Sequence, residues 1–216
     1  MEVVTFEKII LFLVLIVSLS VHEWAHAISA DLLGDPLPRS EGRVTLDPRA
    51  HVDLLGTIVV PIIMIFLSPG FSVIGWGRPV NISLTNPKTR TRDDLLITVA
   101  GPLSNIAIAF AVTIFFGLWA KIGFISQPFL TLFTMTVNLN CLLFFFNLVP
   151  IPPLDGSHVL KRLIRMKNET FNRFSKYGFV FLLVLVNIES FKLLLRWFLG
   201  NSEAFFYLVF SKIVHF

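Results

Sequence analysis

Three ionisable side chains fall within five residues of an otherwise apolar run: His22, Glu23 and His26 in VHEWAHA. Their order is H-E-x-x-H. On a helix, residues four apart share a face, so both imidazoles can address one metal ion while the adjacent glutamate reaches a water held there. This is the signature of a zinc hydrolase. With five histidines and seven glutamates in the chain, shuffling would produce the order in roughly 0.4% of arrangements, so coincidence is a poor account. The plainer alternative is a pair of interfacial histidines facing lipid headgroups. Charges inside an apolar span are costly and are normally kept for a function, which favours the metal.

Two histidines leave a catalytic zinc one protein ligand short, since such sites use three with water in the fourth position. The candidates for the third are His51, Asp53, Asp155 and His158. Asp155 stands in FNLVPIPPLDG, where Pro150, Pro152 and Pro153 forbid a regular helix and Gly156 permits a turn. Irregular backbone at membrane depth is tolerated only where it lines a cavity or is buried in protein. An Asp-Gly pair that simply ends a helix at the surface fits the local sequence equally well.

The elements that must hold these residues are membrane helices. Of 216 residues, 55% are hydrophobic and 15% charged, 23 are Phe, and the mean hydropathy is +0.77. Soluble, disordered and disulfide-stapled classes are excluded on that balance. Cys141 is the single cysteine and has no intramolecular partner. The net charge of +4 indicates cytoplasmic loops between apolar spans, not nucleic acid. Apolar stretches run over about 9–33, 54–74, 95–120, 129–149 and 177–199, with a last short piece at 205–216. Pro61 and Ser68-Pro69-Gly70 interrupt the second, which therefore suits a re-entrant hairpin. Asn187-Ile188-Glu189-Ser190 makes the end of the fifth uncertain, and it suits a short span followed by an interfacial helix. The N-terminal run carries an A-x-A match at Ala25-His26-Ala27, but Glu2, Glu7 and Glu23 argue against a cleaved signal.

With HEWAH at 22–26, AGPLSN at 100–105 and NLVPIPPLDG at 147–156, the chain resembles the site-2 protease family of intramembrane zinc metalloproteases. It is similar to the compact bacterial type with a GRVTLDPRAHVDLLGT loop, a GWGRPV turn and no PDZ insertion. The resemblance implies one Zn2+ per chain on His22, His26 and Asp155, with Glu23 as general base. It also implies that Asn105 and Asn147 hold substrate backbone or the attacking water. Ser157-His158 follows the DG where many relatives carry a second glycine, and proximity alone does not make His158 a ligand.

Topology supplies a separate check on Asp155. If 54–74 crosses the bilayer, the first and fourth spans run antiparallel and His26 lies about 27 Å below the side on which Asp155 emerges. If 54–74 is re-entrant, both motifs approach the same face. The re-entrant arrangement places 13 of the 18 Lys and Arg on one side, against 11 for five plain crossings, and the positive-inside rule prefers the larger bias. The expected protein is therefore an all-α polytopic membrane protein of about four transmembrane helices plus a re-entrant hydrophobic hairpin, with the metal between the first and fourth apolar helices. It is expected to form a single domain over 1–216, with a core at 6–160 and C-terminal helices at 170–216. Its N-terminus lies outside and its site opens towards the cytoplasm.

Its partners are the lipid bilayer and a transmembrane protein substrate, with no nucleic acid. His51 and Asp53 in AHVDLLGT are candidates for contacts around the ligands, beside the simpler reading of a solvated pair. Residues 79–84 alternate like a strand and could offer an edge to an unwound substrate. Gly101-Pro102 would let the third span approach the first closely. A metal carrier or helix-binding scaffold is the rival class; polar residues spread through several spans or a repeated half would mark a carrier, whereas here they converge on one constellation with a positioned glutamate.

Overall fold

The computed structural model describes residues 2–67, 75–83, 89–123 and 125–215, with side chains from residue 6 onward except at position 67. Among the described residues every regular element is helical. Three helical segments are long and apolar enough to cross a membrane: Phe6–Leu32, Arg90–Ile122 and Gln127–Leu148, and a bent pair near the C-terminus brings the possible number to four. The chain is a multi-pass membrane protein built from helices. It divides into two compact units, residues 1–104 and 105–216, and the boundary falls inside one long helix.

In the first unit, α1 (Glu2–Leu32) carries the H-E-x-x-H run in its C-terminal third. Apolar residues on every side make it helical in lipid. Leu15, Leu19, Ala27 and Ala30 are buried while Phe6, Leu13 and Val17 face outward. Gly34, at φ +88°, ends it: Gly34 N donates to Asp31 O and Asp35 N to Ala30 O, the paired closure that a left-handed glycine allows. A short α2 (Leu37–Ser40) and a 3-10 turn at Pro48–Ala50 follow.

The hydrophobic stretch after Asp53 is helical but irregular. Wide turns at Leu54–Val59 and Ile63–Leu67 flank α3 (Val60–Ile62); Pro61 lacks the N–H that a regular helix would need there. The apolar part, Leu54–Phe66, is shorter than the roughly 20 residues that cross a bilayer. Positions 68–74, on which the hairpin expectation also rests, lie outside the described residues. Residues 75–83 form no regular element, and position 84 of the strand-like stretch lies outside the described residues. Trp76 N donates to Gly56 O and Thr57 Oγ1 to Trp76 O. Gly56 leaves room for the Trp76 ring, whose nearest atoms lie 2.3 Å from where a Cβ would be.

The long helix α4 (Arg90–Ile122) contains Pro102 and continues into the second unit. There it is joined by α5 (Gln127–Leu148), α6 (Asp155–Leu163), α7 (Asn168–Ser175), α8 (Gly178–Asn187) and α9 (Glu189–His215). Ala109 and Phe116 of α4, Phe133, Val137 and Cys141 of α5, and Phe206 and Phe210 of α9 form one apolar cluster. The fifth apolar stretch is not a single straight segment. It breaks at Ile188 with a bend of 78°, and the part after the break continues through the last apolar piece as one helix, because 189–215 has no proline to stop it.

Candidate metal centre

His22 and His26 project from the same face of α1 with their Nε2 atoms 3.1 Å apart and their rings edge to face. Two nitrogens bound tetrahedrally to zinc at 2.0–2.1 Å lie about 3.3 Å apart, so the spacing suits a shared ion. The tautomer suits it as well. His26 Nδ1 lies 2.7 Å from Ile97 O on α4; a carbonyl can only accept, so Nδ1 carries the proton and Nε2 keeps its lone pair for a metal. Both imidazoles are over nine-tenths buried. This donor set fits zinc on the chain's own geometry.

Gly101 forms the floor beneath the pair. A Cβ at this position would lie 2.3 Å from His26 Nε2 and 2.7 Å from His22 Cε1, so only glycine lets α4 come this close. Gly77 plays the same part for Glu23: a Cβ at 77 would sit 2.6 Å from Glu23 Cγ and 2.8 Å from Oε1. The segment of Gly77 thus passes directly along the glutamate side chain. Glu23 is 8% exposed, and its Oε2 lies 3.9 Å from Nη2 of Arg43.

Arg43 is itself buried, and its guanidinium donates to Ala50 O and Arg78 O. Burial pushes it below the usual arginine value, and the Glu23 carboxylate opposes that shift. His51 is fully buried, bonding Thr45 O through Nε2 at 2.7 Å while its own carbonyl receives Arg78 N–H. Burial, the largest effect, holds its imidazole below the ordinary histidine value, and the bond to Thr45 opposes it. Asp53 caps the turn that follows it, accepting from Leu55 N and Gly56 N. The bonds of His51 Nε2 and of the Asp53 carboxylate are thus made within their own segment.

In the second unit, Asp155 is the first residue of α6 and is half-buried. The chain reaches it through Ile151-Pro152-Pro153-Leu154, which forms tight turns. Gly156 permits α6 to begin against the end of α5, since a Cβ there would lie 2.4 Å from Leu148 O. His158 stacks edge-on against Phe171 at 5.0 Å. Asn105 is fully buried and donates to Asn140 Oδ1 at 3.1 Å, joining α4 to α5. Asn147 Nδ2 donates to Leu143 O one turn earlier in α5. Gly77 and Arg43 entered the sequence reading only as members of the GWGRPV turn and the GRVTLDPRAHVDLLGT loop, and Asn140 had no signal beyond its residue type.

Comparison with known proteins adds ancestry. The family description "Peptidase family M50" matches residues 119–186. "Putative zinc metalloprotease YwhC" of Bacillus subtilis is 35% identical over 184 residues, spanning 81% of this chain and 78% of that protein. "Putative zinc metalloprotease Rip2" of Mycobacterium tuberculosis H37Rv is 31% identical over 195 residues, spanning 86% of this chain and 68% of its own. No solved structure matches.

Proposed function

Because the chain belongs to peptidase family M50, the site-2 protease family, we propose that it is a zinc-dependent endopeptidase that hydrolyses peptide bonds within or beside the transmembrane segments of membrane proteins. The observation that carries this reading is the convergence of the His22 and His26 Nε2 atoms at 3.1 Å on a helix that also buries Glu23.

His22 and His26 would hold the zinc, one ion per chain, and Asp155 is the third ligand in this reading. Asp155 is supported by its match to the family motif and by the proline-broken approach that frees its backbone from a continuing helix. Zinc, when bound, supplies Lewis acidity that polarises a carbonyl and makes water acidic near pH 7. Glu23 accepts the water's proton and returns it to the leaving amine. Its side chain packs against Gly77 and its carboxylate lies 3.9 Å from the Arg43 guanidinium, which limits the directions in which it can turn. Unpaired backbone groups cost several kcal/mol each in lipid, so cleavable segments should contain helix-weakening residues or lie close to the interface. The charge bias puts the N-terminus outside and opens the site to the cytoplasm.

The test compares cells that express the wild-type chain with cells that express Glu23→Gln. This substitution keeps size and hydrogen bonding but removes the proton acceptor. New N-termini within apolar spans of membrane proteins should appear only with the wild type, at equal zinc content. Identical sets of termini from the two strains would overturn the reading.

A further inference from the structure

Arg43 has no role in the chemistry described so far, yet it is 4% exposed in a loop where, of residues 41–53, only His51 is buried as deeply. Two of its nitrogens are committed to backbone carbonyls from different segments. Nη1 donates to Ala50 O, in the loop that begins at Arg43, and Nη2 donates to Arg78 O, in the segment of Gly77. The same Nη2 lies 3.9 Å from Glu23 Oε2. That distance is too long for a hydrogen bond and short enough for a strong attraction between charges with little water between them. Backbone carbonyls are neutral, so the buried positive charge is answered by carboxylates, Glu23 first and Glu41 more weakly.

Resting on the protease reading, we propose that Arg43 is the positioning residue for Glu23. Its guanidinium fixes the Arg78 carbonyl, and with it the adjacent Gly77 peptide against which Glu23 packs at a separation that excludes a Cβ. One cation therefore sets both the wall against which the side chain packs and the charge near its carboxylate. Because Arg43 attracts Glu23 without hydrogen-bonding to it, this contact orients the base without occupying the lone pair that takes the proton. A planar fork meets both carbonyls at once; an ammonium keeps the charge but not the fork, so it can replace the arginine only in part.

The experiment uses the full chain in phospholipid vesicles with a quenched fluorescent peptide built on a cleavage site mapped by the comparison above. Wild type, Arg43→Gln and Arg43→Lys are measured for zinc per chain, KM and kcat. Arg43→Gln should keep its zinc and hold KM within about threefold, while kcat falls about 100-fold, the scale of a misplacement near 1 Å. Arg43→Lys should recover at least about tenfold of that loss, because the charge facing Glu23 returns. An unchanged kcat in Arg43→Gln overturns the proposal, and so does an equal loss in both variants that tracks lost zinc, which is what a merely structural clamp predicts. Should Arg43→Gln not fold, Arg43→Lys decides alone: a loss confined to kcat supports positioning, and wild-type kcat or a loss confined to KM or zinc overturns it. Cleavage by the wild type and not by Glu23→Gln upholds the protease reading whatever Arg43 does, so the two can fail separately.

Discussion

Gly101→Ala is the smallest change that reaches the imidazole pair directly. The added Cβ would lie 2.3 Å from His26 Nε2, 2.5 Å from His26 Cε1 and 2.7 Å from His22 Cε1. Optimal carbon contacts are about 3.5–4.0 Å, so the rings must withdraw by roughly 1 Å. Retreat is hindered because His26 is tied by Nδ1 to Ile97 O at 2.7 Å, one turn before Gly101 on the same helix, and both rings are buried. Overpacking of this kind costs about 1–3 kcal/mol, while alanine in place of a helical glycine returns about 1 kcal/mol. Folding stability should therefore move little. Metal binding has no such offset, and about 2 kcal/mol of disturbance at the two Nε2 atoms corresponds to roughly 30-fold weaker zinc. Competition with a chromophoric chelator in detergent measures the affinity, and thermal unfolding of the metal-free protein measures the fold. If zinc affinity stays within about threefold of wild type in a folded Gly101→Ala protein, Gly101 is not the floor of a metal site and the reasoning fails.

Three further outcomes follow from the same geometry. Asp155→Ala should sharply reduce zinc retention through purification, and unchanged zinc by elemental analysis would remove Asp155 from the ligand set. The His51 imidazole is held below its ordinary value by burial, so the unfolded chain takes up a proton near pH 6.5 while the folded loop resists it. The contribution to stability is therefore complete above about pH 6.5 and declines as the pH falls towards the folded value. Arg43 adds repulsion on protonation and Asp47 attraction. Amide exchange over 43–53, corrected for intrinsic rate, should show protection lost between pH 7 and 5, and flat protection would contradict this. In a Cys141→Ser background, cysteines placed at Thr45 and at Thr89 should both be labelled from the cytoplasmic side; labelling from opposite faces would mean that 54–74 crosses.

Legibility in the sequence divides along a physical line. The pairing of His22 with His26 could be read because i and i+4 adjacency is a local property of a helix, and the apolar stretches because lipid imposes a length and a composition. The break in the fifth stretch announced itself through Asn187-Ile188-Glu189-Ser190. What could not be read is contact supplied by backbone. Gly101 touches His22 and His26 through the absence of a Cβ; its glycine suggested close helix packing and gave no sign that the packing is against the two imidazoles. Ile97 sets the tautomer of His26 through a carbonyl that any residue would carry, 71 positions away. Arg43 looked like one of 13 loop cations marking the cytoplasmic side, yet two carbonyls and one carboxylate draw it inside. Asn105 shows the converse. Its amide invited a role at substrate or water, and the bond its Nδ2 donates to Asn140 Oδ1 on another helix had no mark in the sequence. The reactive groups of this protein are side chains and so are written in the sequence. The parts that aim them include glycines, peptide carbonyls and a loop arginine, whose meaning arises only once distant segments meet.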